Sequence, residues 1–130
     1  MPEPTLQRIL YVEDNDIVRE VTAELLIKDQ REIVICATAE EALREFRTRQ
    51  FDMVITDVSL PVMSGIELAR SILALKPQTP IIIASGYALE FGIEDWGKNV
   101  RSIIKPFEAT EIEALMDQLL DGHDRGSPPA

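Results

Sequence analysis

Short aliphatic runs alternate along this chain with segments of helical periodicity, and four of the runs end at polar groups. In chain order, the runs and the groups that follow them are residues 9–12 before Glu13-Asp14, 53–56 before Asp57, 81–84 before Ser85 and 103–104 before Lys105-Pro106. Strands that alternate with helices predict a parallel sheet covered by helices on both faces. In such a sheet all these groups emerge at the carboxyl edge, where open α/β folds bind their ligands.

The whole pattern predicts five strands and four clear helices in a single domain over residues 1–121, followed by a disordered tail at 122–130. The remaining strand is the β-branched run at residues 33–36, and the last strand spans about residues 102–104. Residues 86–101 are interrupted by glycines and follow no sustained period. We expect only a short or irregular helix at residues 88–95.

Helix ends carry recognisable signals in this sequence. Thr38 with Glu41, and Ser64 with Glu67, have the spacing of capping boxes, in which a hydroxyl and a carboxylate bond the first-turn amides reciprocally. Gly122 is placed as the stop of the last helix.

Composition excludes several classes of function. A net charge of −10 argues against direct nucleic-acid binding, because an acidic surface repels phosphate. No apolar run approaches the ~18 residues of a membrane span, and no leader peptide is evident. The single cysteine, Cys36, lies in an aliphatic run and is predicted to be buried in the core. We expect a cytoplasmic protein, since no disulfide can form within the chain.

The strand-end groups suggest a site for a divalent cation and a phosphoryl group. Two carboxylates ~4 Å apart repel by ~4 kcal/mol at an effective dielectric of about 20, so gathering Glu13, Asp14 and Asp57 requires compensating cations. Lys105 supplies one charge, and all-oxygen ligands favour Mg²⁺ for the rest. The Asp57 carboxylate could attack phosphorus, while Ser85 and Lys105 bind the phosphoryl oxygens.

The strand ends carry four short motifs, which are Tyr-Val-Glu-Asp-Asn at 11–15, Asp-Val-Ser-Leu-Pro-Val-Met-Ser-Gly at 57–65, Ala-Ser-Gly-Tyr at 84–87 and Lys-Pro-Phe at 105–107. Together these motifs resemble the receiver domain of bacterial two-component response regulators. The resemblance covers about residues 7–121. It implies a flavodoxin-like, doubly wound five-stranded parallel sheet with strand order 2-1-3-4-5, and a member of this family is a standard example of that order.

The resemblance also implies a metal site. Mg²⁺ would be bound by Asp14, Asp57 and the backbone carbonyl of Ser59, with Glu13 acting mainly through water.

The same resemblance makes Asp57 the phosphoacceptor, with Ser85 and Lys105 contacting the phosphoryl group. The donor would be a phosphohistidine on a histidine kinase or a histidine phosphotransfer protein, docking beside the first helix and the loop after Lys105. No output domain is expected after the last helix, so the chain would be a stand-alone receiver, monomeric or weakly dimeric, unless it is a piece of a longer protein.

Two features depart from the family pattern. The family often carries an aromatic residue three positions before the lysine, and here that residue is Ser102. A rotamer switch that couples such an aromatic residue to Ser85 is therefore not expected, and Tyr87 is the alternative aromatic group. The glycine-broken stretch after Ser85 resembles stand-alone or hybrid-kinase receivers, and we expect residues 86–101 to become ordered on phosphorylation.

Two other classes of function compete with a phosphoacceptor switch. A phosphorylation-independent interaction module would be expected to have lost part of the acidic, serine and lysine set, which is complete here. A Mg²⁺-dependent phosphatase with an aspartyl nucleophile typically carries a second acid two residues later, where this chain has Ser59. We therefore expect an acceptor and switch rather than a turnover enzyme.

Overall fold

The computed structural model describes residues 6–87 and 96–124 of the chain. Its elements, in chain order, are β1 (Gln7–Val12), α1 (Asp16–Leu26), β2 (Arg31–Cys36), α2 (Ala39–Thr48), β3 (Met53–Asp57), α3 (Gly65–Leu75), β4 (Ile81–Ser85), β5 (Val100–Ile104) and α4 (Ala109–Asp124). The expected short helix at 88–95 lies outside the described residues.

All five strands are parallel and lie in the order β2-β1-β3-β4-β5, so the predicted fold is confirmed. Strands β1, β3 and β4 occupy the middle of the sheet, and β3 and β4 are buried along their whole length. Since both faces of these strands are covered, their sequences are continuous aliphatic runs rather than alternating ones.

Side chains alternate between two apolar layers along each central strand. Leu10 and Val12 of β1 pack with α2 and α3, whereas Ile9 and Tyr11 pack with α1 and α4. Cys36 is buried in the first layer, as predicted. Burial, reinforced by the nearby carboxylates of Glu41 and Glu45, raises the pKa of its thiol to about 12, which makes Cys36 an unreactive core residue.

Two predicted helix signals need correction. At α2, Thr38 accepts from the Glu41 amide as expected, but the Glu41 carboxylate bonds the amide of Ala37 instead of that of Thr38. The last helix does not stop at Gly122, because α4 continues to Asp124 and so includes three residues that the sequence assigned to the tail. The capping box of Ser64 and Glu67 is confirmed.

No helix in the described part of the chain combines the length and hydropathy that a bilayer span requires.

An ion pair ties the last helix to the edge of the sheet. Arg31, at the start of β2, donates two hydrogen bonds of 2.7 and 3.0 Å to the carboxylate of Glu113 on α4. Its side chain is only 2% exposed, and it also donates to the carbonyl of Leu26 at the end of α1. The hydrogen bond from Arg31, opposed by burial, lowers the pKa of Glu113.

Replacing Glu113 by glutamine is expected to destabilise the protein, because it leaves the buried guanidinium without its counter-charge. We expect a loss of about 2 kcal/mol at neutral pH, below the usual 3–5 kcal/mol because Glu113 is partly exposed. The folded-state pKa of Glu113 is lowered, so its contribution is complete above the unfolded-state value of about 4.3 and disappears as the pH falls through the folded-state value.

Urea unfolding at neutral and acidic pH measures this effect, with Glu20→Gln on the exposed face of α1 as the matched control. The difference in the free energy of unfolding between Glu113→Gln and the unmodified protein should become smaller in acid. If this difference is absent at neutral pH, or becomes larger in acid, the ion pair of Glu113 with Arg31 does not stabilise the fold as described.

Candidate functional site

Sheet register places the polar strand-end groups side by side. Val12 of β1 pairs with Thr56 of β3, so Glu13 and Asp57 follow neighbouring positions on neighbouring strands. Asp57 pairs in turn with Ala84 of β4, directly before Ser85. The amide of Lys105, which follows β5, donates to the carbonyl of Ser85 at 2.7 Å. Four strands thus deliver these groups to one end of the sheet.

Three carboxylates and one ammonium group meet at this edge. Glu13, Asp14 and Asp57 each contribute a carboxylate oxygen, and these oxygens all lie within 4.8 Å of one another. The ammonium group of Lys105 lies 2.6 Å from Oδ1 of Asp57 and 3.3 Å from Oε1 of Glu13. The structure therefore brings the three predicted acids and the lysine together at one edge of the sheet.

Burial differs among the acids and sets their electrostatics. Glu13 and Asp57 are buried, at 3% and 6% exposure, whereas Asp14 is exposed. Burial raises the pKa of Glu13, and the charge of Asp57 adds to the rise while the Asn15 amide and Lys105 oppose it. Burial alone would lower the pKa of Lys105, but its hydrogen bond and charge interaction with Asp57 raise it overall. The lysine is therefore held as a cation against two buried acids.

Ser85 lies at the end of β4 and is almost fully buried. Its hydroxyl oxygen accepts a hydrogen bond of 3.2 Å from the amide of Tyr87, which uses a lone pair of the oxygen and not the hydroxyl proton. The Tyr87 side chain is 61% exposed, and Ser102, at the position where the family often has an aromatic residue, is also exposed.

The loop after β3 folds back tightly over Asp57. The amide of Gly65 donates to the carbonyl of Val58 at 2.9 Å, and a β-carbon placed on Gly65 would lie 1.9 Å from the backbone oxygen of Asp57. Only glycine fits this approach, so Gly65 fixes the first turn of α3 against the strand that carries Asp57. Ser59 lies inside the same loop, two residues beyond Asp57.

An exposed apolar groove beside the acidic site was not evident from the helical period of α1. Ile17 and Val21 are 73% and 55% exposed on α1, and the groove continues onto Pro106 and Phe107 after Lys105. The sequence period showed that α1 has an apolar stripe, but only the placement of α4 reveals that part of this stripe stays uncovered.

Comparison with known proteins identifies the family. A family model described as the response regulator receiver domain matches residues 9–117. The chain belongs to the response regulator receiver domain family. The receiver is 32% identical over 124 residues to the response regulator protein FleR of Pseudomonas aeruginosa, covering 94% of this chain and 25% of FleR. It spans about a quarter to a half of the length of the curated relatives it matches.

Solved receivers share the fold over nearly the whole chain. A CheY-like receiver domain protein from Methanospirillum hungatei JF-1 is 28% identical, with a TM-score of 0.84 over 94% of this chain and 99% of its own. The receiver domain of the sensor histidine kinase PA1611 from Pseudomonas aeruginosa PAO1 is 28% identical, with a TM-score of 0.78 over 88% of this chain and 98% of its own. That structure holds a magnesium ion in its active-site cleft.

Proposed function

We propose that this receiver takes a phosphoryl group from a phosphohistidine onto Asp57, with Mg²⁺, and thereby switches a protein-binding surface in a two-component phosphorelay. The observation that carries the proposal is the cluster of Glu13, Asp14 and Asp57 with Lys105 only 2.6 Å from the Asp57 carboxylate. A buried acid beside a fixed cation, at the tip of a central strand, suits a nucleophile whose product is a more negative group.

The donor set fits Mg²⁺. Two buried carboxylates and one exposed carboxylate carry three negative charges at most, and Lys105 offsets only one of them. Carboxylate oxygens suit this hard cation, and the exposed Asp14 leaves room for the waters that Mg²⁺ retains. We assign Glu13, Asp14, Asp57 and the backbone carbonyl of Ser59 as its ligands, with Glu13 acting mainly through water. When bound, Mg²⁺ neutralises charge on the carboxylates and on the incoming phosphoryl group.

Transfer itself requires little more than positioning and charge neutralisation. An oxygen of Asp57 attacks phosphorus, the bond from phosphorus to the donor imidazole breaks, and the imidazole nitrogen keeps the electron pair. Lys105, already paired with Asp57, then pairs with a phosphoryl oxygen. The hydroxyl proton of Ser85, which the bond from the Tyr87 amide does not use, donates to another phosphoryl oxygen and gives the modified state a new contact at the end of β4.

The apolar groove beside the site suits the docking of the donor. Ile17 and Val21 of α1 and Phe107 after Lys105 form a continuous apolar surface that ends at the lysine. A helix of a histidine kinase or of a histidine phosphotransfer protein laid along this groove would bring its phosphohistidine to Asp57. The output is a protein contact or onward transfer in the relay, and the stand-alone organisation, the weak or absent dimerisation and the cytoplasmic location remain predictions.

This receiver acts as a switch rather than as a turnover enzyme. Ser59 occupies the position where an aspartyl phosphatase would typically place its second acid, and it offers no carboxylate for turnover. The complete set of acids, Ser85 and Lys105 likewise disfavours a module that works without phosphorylation.

Incubation with acetyl phosphate tests the proposal without requiring the natural donor. In the presence of Mg²⁺ the intact mass is expected to increase by one phosphoryl group, and no increase is expected when the metal is removed with a chelator. Circular dichroism of the same samples verifies that the protein stays folded. A folded protein that gains no mass with Mg²⁺ would favour the interaction module and count against the phosphoacceptor.

A further inference from the structure

Arg19 bridges the turn that carries two of the three acids. It lies in the second turn of α1, with its side chain only 21% exposed. One terminal nitrogen donates to the backbone carbonyl of Glu13 at 2.9 Å, and the other donates to Oδ1 of Asp16 at 2.6 Å. The planar guanidinium group can serve both acceptors at once, which a lysine ammonium on a flexible stem does less well.

The bond to the Glu13 carbonyl matters because that carbonyl belongs to the peptide unit leading into Asp14. On the other side, the Glu13 amide donates to the carbonyl of Cys36 on β2 at 3.1 Å. The Glu13 backbone is thus fixed at both its amide and its carbonyl. Asp14 is exposed, so the direction of its carboxylate depends on this backbone rather than on packing around the side chain.

A surface ion pair does not account for this arrangement. Asp16 is 84% exposed, and pairs of that kind contribute little to stability. The part of Arg19 that is shielded from solvent points instead toward the start of the turn, at Glu13.

The guanidinium group of Arg19 also brings a positive charge to the backbone of Glu13, one of the three acids. A cation beside the acidic cluster repels Mg²⁺, so charge and positioning have opposite effects on metal affinity. Because the two effects have opposite signs, a measurement of Mg²⁺ affinity distinguishes a positioning role of Arg19 from a purely electrostatic one.

We propose that Arg19 is a positioning residue that fixes the Glu13 peptide and thereby orients Asp14 toward the metal. The inference rests on the proposed function, because it concerns the same Mg²⁺ site. It goes beyond the strand-end residues, since Arg19 lies on α1 and reaches the site only through the backbone of the turn.

Titration calorimetry with MgCl₂ on the full chain tests this role. Arg19→Gln and Arg19→Lys are both expected to bind Mg²⁺ about tenfold more weakly, the usual scale for groups that orient metal ligands. Arg47→Gln, which removes one exposed arginine on α2, is the matched control and should bind like the unmodified protein. Thermal unfolding of each variant without metal shows whether the fold is kept, and we expect only small shifts.

The outcomes separate the alternatives. If Arg19 acts only as a charge, Arg19→Gln binds Mg²⁺ more tightly and Arg19→Lys binds it unchanged, and either result overturns the inference. If Arg19→Gln fails to fold, Arg19→Lys decides alone, because unchanged affinity in that variant rejects the positioning role. If the unmodified protein takes up no Mg²⁺, the proposed function itself fails, and the inference fails with it.

Discussion

Replacing Asp57 by asparagine is expected to abolish the phosphoryl adduct formed from acetyl phosphate and Mg²⁺. The amide is a poor nucleophile, so the bond from oxygen to phosphorus cannot form at the tip of β3. The neighbouring acids do not substitute for it, since Glu13 is buried beside Lys105 and Asp14 lies exposed on the flanking turn. The variant keeps the ion pair of Lys105 with Glu13 at 3.3 Å, which favours retention of the fold.

Intact mass after incubation measures this effect, with Asp117→Asn as the matched control. Asp117 is an exposed aspartate on α4 and undergoes the same chemical change away from the site. We expect the control to be labelled like the unmodified protein. Equal labelling of Asp57→Asn would show that another residue accepts the phosphoryl group.

Replacing Gly65 by alanine is expected to destabilise the protein severely and to disturb the site. The added β-carbon would lie 1.9 Å from the Asp57 carbonyl oxygen and 2.8 Å from its carbon, so either α3 or the end of β3 must move. Both atoms belong to backbone and cannot rotate away as a side-chain tip can. We expect a loss of about 3 kcal/mol in the free energy of unfolding, at the upper end of overpacking effects.

Because the clash is with Asp57 itself, we also expect Gly65→Ala to bind Mg²⁺ more weakly under conditions where it remains folded. Gly86→Ala is the matched control, since a β-carbon there meets nothing within 4 Å among the residues that the structure describes. Urea unfolding compares the two variants. A Gly65→Ala protein as stable as Gly86→Ala would contradict the close approach of α3 to Asp57.

Local signals sufficed to predict the strands and the sheet edge that carries the site, whereas the strand order followed from the resemblance to receiver domains. Aliphatic runs that end at Asp57 and Ser85 are short, so their strand assignment depends on neighbouring residues and not on distant contacts. Parallel pairing then brings the run ends together without further information. The strand start at Val100 was placed two residues late, because Arg101 and Ser102 are polar residues on an edge strand with exposed positions.

Long-range partners were not predictable from the sequence. Arg31 and Glu113 lie 82 residues apart, and nothing in either local segment shows that a guanidinium will be buried between β2 and α4. Arg19 resembles an ordinary charge on a helix surface, and only the bond to the Glu13 carbonyl reveals its place in the site. The end of α4 was misplaced because a glycine stops a helix only when the backbone turns there, and packing can carry the helix past it.

Chemical localisation of the phosphoryl group identifies the acceptor residue itself. After incubation with acetyl phosphate and Mg²⁺, borohydride reduces an aspartyl phosphate to a primary alcohol, and peptide mass spectrometry locates the reduced residue. We expect homoserine in place of aspartate at position 57 and at no other acid. A reduced residue at Glu13, Asp14 or a surface carboxylate, with position 57 unchanged, would contradict it.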